Sequence, residues 1–279
     1  MTNEINVRYL VDKEGGDYFP ITHTEAVIGI ENITSQKKLE GKNIVMFGDS
    51  ITELGNYPEI VGQTLGANVV KGGFYGCRMA QHPGNTYMNN QSMQKMSEYI
   101  RNKDFSELVQ STEEYFNNGG RDYRSQAKDL NNVDWNTVDI ITIFFGVNDF
   151  TNLSTIGSNT DTTGSTFKGA INKIIKNISE TLPKVRIIFI APMYMSRIYS
   201  TNGENSDDNP NTNGIYFKEY VNAIVDVTKV NHVVSINLND LSGVNRYNSD
   251  VYLDDGKHPS SYGYSHIARI ISNQIELLY

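Results

Sequence analysis

Two spacings of apolar residues alternate along this chain. Short apolar-rich runs occur at residues 44–47, 140–145, 185–190 and 232–236, with a weaker one at 68–71. Each is long enough for a strand buried on both faces and too short for a helix. Between them the interval changes. Phe167, Ala170, Ile171, Ile174, Ile175 and Ile178 recur at helical spacing, as do Phe217, Tyr220, Val221, Ile224 and Val227. Tyr264, Ile267, Ala268, Ile271, Ile275 and Leu278 form a third such stripe near the end of the chain, and residues 57–65 a shorter one. Stripes of this kind are the core-facing sides of amphipathic helices, and Pro183 closes the one that begins at Phe167. Strand and helix in alternation from Asn43 onward predict a parallel sheet covered on both faces.

Two regions depart from that alternation. In residues 1–40, Val7, Tyr9 and Val11 alternate with polar positions, and Glu14-Gly15-Gly16-Asp17 supplies a hairpin-like turn, which predicts a small β arm ahead of a main domain at 41–279. Residues 80–138 are polar and rich in asparagine, with helical patches at 93–100 and 105–116. They hold too few apolar positions for a core of their own, so we expect an excursion on the ligand-binding side of the sheet. Residues 72–77, 151–164, 192–214 and 240–257 read as loops.

Composition narrows the function classes. The 279 residues carry a formal charge of -8 and no basic run, which argues against nucleic acid and anionic membrane surfaces as partners. No apolar stretch of about 18 residues exists, and the polar start at Met1 predicts neither a signal peptide nor a membrane span. The single cysteine, Cys77, excludes an internal disulfide and an all-cysteine metal site. Cys77 itself has no Cys–His motif beside it and reads as a small buried packing residue. No cofactor is expected.

The candidate chemistry lies where the strands stop. The first run ends abruptly at Gly48-Asp49-Ser50, and groups beyond the carboxyl ends of strands in an open α/β sheet are the ones a ligand reaches, so Ser50 is the candidate nucleophile. Acyl transfer by a serine needs a base, a carboxylate to orient that base, and donors aimed at the developing oxyanion. Asp255 stands three residues before His258, beyond the fifth run, a spacing that lets the two face one side while the other ring nitrogen faces Ser50. Asn148 offers a side-chain amide beyond the third run, and Gly76 a backbone N–H with no side chain in the way. Asp254 is an alternative orienting acid. His82, in a glycine-bearing loop, and His266, expected on the surface of the last helix, are alternative bases, whereas His23 and His232 read as structural.

Taken together, Gly48-Asp49-Ser50, Gly76, Gly146-Val147-Asn148-Asp149 and Asp255-Gly256-Lys257-His258 resemble the GDSL esterases, also called SGNH hydrolases, over residues 43–279. The resemblance implies Ser50 as nucleophile, Gly76 and Asn148 with the Ser50 N–H as oxyanion donors, and Asp255 and His258 as acid and base. It implies a flavodoxin-like α/β/α sandwich with strand order 2-1-3-4-5 and metal-independent ester hydrolysis. Lys71 and Ile51 depart from the family's usual asparagine and leucine, and Gly76 is preferred over Gly72 and Gly73 by its offset from Lys71. Residues 166–170 and 254–259 look like bacterial members that act on acylated carbohydrates. Residues 18–29 resemble the N-terminal arm of phage tail-fibre and baseplate proteins. The expected substrate is therefore an acylated, chiefly acetylated, host surface glycan, met by a homo-oligomer attached through residues 1–40 to a phage tail or released outside the cell. The rivals are a cytoplasmic or secreted esterase or lipase, and a receptor-binding protein that keeps the fold without activity.

Overall fold

The computed structural model describes residues 37–198 and 205–279, and the β arm expected at 1–40 lies almost wholly outside them. The compact unit begins at Lys37, where Leu39 is already buried and its N–H donates to the Leu65 carbonyl. The chain then runs β1 (Asn43–Gly48), α1 (Ser50–Leu54), α2 (Tyr57–Leu65) and β2 (Asn68–Gly73). Four helices follow before the next strand: α3 (Thr86–Asn90), α4 (Met93–Asn102), α5 (Ser106–Asn117) and α6 (Arg124–Asn131). After β3 (Ile140–Phe144) come α7 (Val147–Thr151), α8 (Phe167–Thr181) and β4 (Arg186–Ala191). The last part holds α9 (Phe217–Val230), β5 (Val234–Asn237), α10 (Leu238–Leu241), α11 (Ser249–Tyr252) and α12 (Ser261–Glu276).

All four strand pairings are parallel, in the order β2-β1-β3-β4-β5. This is the expected order, and β1 sits between β2 and β3 with Ile44 opposite Val69 on one side and Ile140 on the other. Every residue of β3 is buried, as are Ile44 to Gly48 of β1, which is why both read as continuous apolar runs rather than as alternating ones. The helical stripes bury their apolar sides as their spacing requires. α2 packs on α12, while α4, α8 and α9 pack side by side.

Hydroxyl and amide caps set the ends that periodicity leaves open. Ser92, Thr166 and Ser260 accept the N–H of Lys95, Gly169 and Gly263 at the starts of α4, α8 and α12, satisfying donors that an unpaired helix start would strand. The polar excursion has no core of its own: Met93, Met96, Ile100, Leu108, Tyr123 and Leu130 join the single core that contains the sheet. Phe105 and Phe47 both stack on Trp135, fastening it to β1.

Three expectations need correcting. Gly72 and Gly73 belong to β2 rather than to the loop after it, and β5 starts at Val234, after His232. The stretch at 240–257, expected as loop, contains part of α10 and all of α11, elements of four residues each that are too short to show a helical stripe. Glycine ends β2 for a packing reason. A Cβ on Gly73 would lie 2.3 Å from the Glu53 N and 2.6 Å from its Cα, so the strand rests directly on the backbone of α1. Gly73→Ala is expected to destabilise the fold by about 1–3 kcal/mol through this overpacking. Chemical denaturation checks it, and an unchanged midpoint and slope would show that α1 is free to move away.

Candidate active site

The geometry grows from the end of β1. Gly48 lets the chain turn tightly into α1, since a Cβ there would collide with the Thr52 side chain. Asp49 then caps the helix, its Oδ1 accepting the Ile51 N–H at 3.0 Å, which leaves Ser50 as the first helical residue. The chain returns to this spot far downstream. Residues 254–258 form a tight loop closed by a bridge between Leu253 and Pro259 and by the Asp254 N–H, which donates to the His258 carbonyl at 2.9 Å. The loop is held from behind because the Gly256 carbonyl accepts the N–H groups of Ser196 and Arg197.

Within that loop Asp255 accepts three hydrogen bonds. Its Oδ1 takes the backbone N–H of Lys257 at 3.0 Å and of His258 at 2.7 Å, and its Oδ2 lies 2.7 Å from His258 Nδ1. Partial burial opposes ionisation of this carboxyl, but the His258 ring and the two N–H groups outweigh it and hold Asp255 well below the usual carboxylate range. An ionised acceptor at Nδ1 keeps the proton there, so Nε2 presents its lone pair. Nε2 lies 2.8 Å from Ser50 Oγ, across 208 positions of sequence. Ser50, His258 and Asp255 therefore form one hydrogen-bonded line. The alternative acid, Asp254, contributes only its backbone N–H to His258.

Of the expected oxyanion donors, Asn148 is tied to Asp49, the residue before Ser50, and Gly76 follows Tyr75, which packs on His258. Among the described residues neither the Ser50 nor the Gly76 N–H has a hydrogen-bond acceptor, and Gly76 sits in the left-handed region at φ +75°, where a side chain is strained. Asn148 is nearly fully buried, and its Nδ2 lies 3.1 Å from Asp49 Oδ2 and 3.0 Å from the Cys77 carbonyl. Both amide hydrogens thus face acceptors within the protein. An oxyanion beside Ser50 would have to share one of them.

Two buried carboxylates brace this arrangement, and sequence reasoning assigned neither of them a role in the site. Asp49 bridges α1 to Asn148, and Asp149 accepts the N–H groups of Met79 and Ala80 at 2.8 and 3.1 Å, tying the loop after β2 to α7. Burial pushes Asp49 up to about 7, against the bond from Ile51, and pushes Asp149 up to about 6, against the bonds from Met79 and Ala80. Above the serine line, Tyr75 stacks on the His258 ring with centroids 6.1 Å apart and planes 25° apart. Arg121 lies 4.5 Å above the Tyr75 ring and reaches Glu53 Oε1 at 3.2 Å. Nothing in the sequence marked Arg121, which arrives from the polar excursion. Tyr75, flanked by Gly72, Gly73 and Gly76, was visible only as part of a loop.

The remaining candidates fall elsewhere. His82 lines a separate hollow of about 430 Å³ with Gln81 and residues 83–86 and 89. His266, expected on the surface, is half-buried, with Nε2 2.7 Å from the Ser242 carbonyl and its ring against Tyr252 and Tyr262. Cys77 is fully buried, and burial, with nearby carboxylates, keeps its thiol well above the ordinary value, as a packing residue requires. Gly72 and Gly73 are engaged in β2, which leaves Gly76 in the loop. Lys71 reaches the Gly55 carbonyl at 2.6 Å and Glu59 at 3.3 Å, joining the ends of α1 and α2. Among the described residues, no three His, Cys, Asp or Glu side chains converge as a metal site would require.

A parallel α/β sheet that brings a serine, a histidine and an aspartate into one hydrogen-bonded line at its carboxyl edge carries the set of groups that acyl transfer by a serine requires. The chain belongs to the GDSL-like lipase/acylhydrolase family, whose pattern matches residues 44–271. Among solved structures it is similar to a Lactobacillus plantarum protein, at 18% identity and a TM-score of 0.63 over 86% of this chain and 99% of that one. It is also similar to a GDSL-like lipase from Bacteroides thetaiotaomicron (15%, TM-score 0.52, 85% and 89% covered). A carbohydrate acetylesterase from Sinorhizobium meliloti aligns at 13% identity and a TM-score of 0.51 over 85% of this chain and 100% of that one. At such identities the likeness is one of fold. Comparison with curated proteins gives no match.

Two outcomes follow from the bracing groups. Because Asp49 has an ordinary value near 3.8 and a folded value of about 7, the folded state holds an extra proton between them. The stability that proton contributes is fully present below about pH 4 and is lost as pH rises through about 7. Asp49→Asn removes it, so wild-type unfolding free energy should fall relative to the variant's between pH 4 and 8, and a constant difference would show that Asp49 ionises without cost. Tyr75→Phe should retain the ring stack and the rate, while Tyr75→Ala should lower kcat/KM about fivefold, the equivalent of about 1 kcal/mol of aromatic contact. Equal rates in steady-state assays of both would remove Tyr75 from the support of His258.

Proposed function

We propose that this chain hydrolyses short acyl esters, acetyl foremost, carried on a carbohydrate, through an acyl-enzyme on Ser50. The observation that carries the proposal is the unbroken line from Ser50 Oγ through His258 to the ionised Asp255. In the first half-reaction, His258 Nε2 takes the Ser50 proton as Oγ bonds to the ester carbon. The carbonyl oxygen becomes an oxyanion facing the Ser50 and Gly76 N–H groups and the Asn148 amide. Asp255 stabilises the imidazolium without itself taking the proton. The sugar hydroxyl then leaves with the proton from Nε2. In the second half-reaction, water attacks the acyl-enzyme with His258 again as base and releases the carboxylic acid.

Membership in the acylhydrolase family supports ester hydrolysis. The carbohydrate part rests on the likeness of residues 166–170 and 254–259 to bacterial members acting on acylated sugars, and on a structural neighbour described as a carbohydrate acetylesterase. The tail-fibre-like segment at 18–29 supports a setting on a phage particle, with residues 1–40 as the attachment and the host surface polysaccharide as the polymer. Ser50→Ala should lower turnover of p-nitrophenyl acetate by roughly three orders of magnitude or more while leaving the unfolding midpoint in place. Acetyl should be preferred to octanoyl, and EDTA should change neither rate. Retention of a tenth of the activity in Ser50→Ala would remove Ser50 from its role, and a preference for octanoate would move the reading to a lipase.

A further inference from the structure

Two clefts, the one beside Asp255 polar and the other of mixed character, meet at Tyr194. One, of about 630 Å³, is bounded by Arg197, Arg246, Asp250 and the loop at 254–256. The other, of about 560 Å³, is bounded by Tyr216, Lys218, Asn239 and Asp240. Each is within the size range of sites for small molecules, and Tyr194 lines both. Tyr194 is only 3% exposed, yet its hydroxyl has no hydrogen-bond partner among the described residues. Its hydroxyl opens into the cleft with no protein partner, so a ligand hydroxyl can take its bond in place of water.

The charges around the clefts narrow the ligand. Five carboxylates and three cations line them, and Arg246 is already held by Asp208 through two bonds of 2.8 and 2.9 Å. A polyanion would meet more like charge than opposite charge here. A neutral sugar finds amide, carboxylate and guanidinium groups for its hydroxyls, and in Tyr216, 41% exposed, an aromatic face beside them. Asp255 lines the first cleft and is one imidazole ring away from Ser50, so a chain lying in the clefts has its next unit at the serine.

We propose that the paired clefts are a subsite for a neutral oligosaccharide, holding the sugar units adjacent to the acylated one while the ester reaches Ser50. This rests on the carbohydrate reading given above. The wild-type protein should cleave O-acetylated xylotetraose with a KM at least several-fold below that for acetylated xylose. Tyr194→Phe and the exposed Arg197→Ala should each raise the tetraose KM about threefold to tenfold, the range for loss of one hydrogen bond, with kcat retained. Acetylated xylose should show no such rise.

Chain length without effect on KM, or variants that change kcat alone, would overturn the subsite. Better turnover of acetylated polygalacturonate than of the tetraose would overturn its neutral character. If p-nitrophenyl acetate is cleaved while no sugar ester is, the carbohydrate reading itself fails and the subsite falls with it. If sugar esters are cleaved regardless of length, the subsite fails alone.

Discussion

Two carboxylates, each buried just past the end of a central strand, hold the candidate site in shape. Asp49 follows β1 and Asp149 follows β3, and between them they accept hydrogen bonds from α1, from Asn148 and from the loop after β2. Each bond satisfies a donor that would otherwise be stranded at the edge of a dry sheet. Burying both acids disfavours their charged forms, as their raised values record, so the fold forgoes some stability in order to tie α1, Asn148 and the loop after β2 together. Unfavourable burial concentrated at a site in this way is common in enzymes.

The serine line is built differently, from a loop rather than from the sheet. Asp255 has its oxygens filled by Lys257, His258 and the imidazole, all within a few residues of itself. The His258 ring is thereby oriented before any substrate arrives. Its exposed side is covered by Tyr75, and Arg121 covers Tyr75. Through Arg121 the polar excursion contributes to the site, although its helices pack into the same core as the sheet.

Much of this was legible in the sequence because the physics acts locally. Runs such as 140–145 can be buried only as strands, and helical stripes such as Phe217 to Val227 can bury only one face, so the order of elements followed. Ser50, Asp255 and His258 stood out because acyl transfer demands those groups just beyond strand ends. What escaped was set by contacts distant in sequence or by a cap rather than a period. Gly72 and Gly73 looked like loop residues because glycine usually breaks a strand, yet Gly73 is required there by the approach of α1. Short helices such as α10 and α11 show no stripe. Arg121 pairs with Glu53 and Tyr75 from a stretch with no motif, and Asn148 gave no sign that both its amide hydrogens are already engaged.

In the proposed mechanism Ser50 owes its nucleophilicity to His258. Labelling with a serine-directed fluorophosphonate, followed by peptide mass mapping of the wild-type protein and of His258→Ala, tests it most directly. One adduct per chain is expected, at Ser50, formed quickly in the wild type and slowed by orders of magnitude in the variant. An adduct on another residue, or labelling of Ser50 at the same rate without His258, would contradict it.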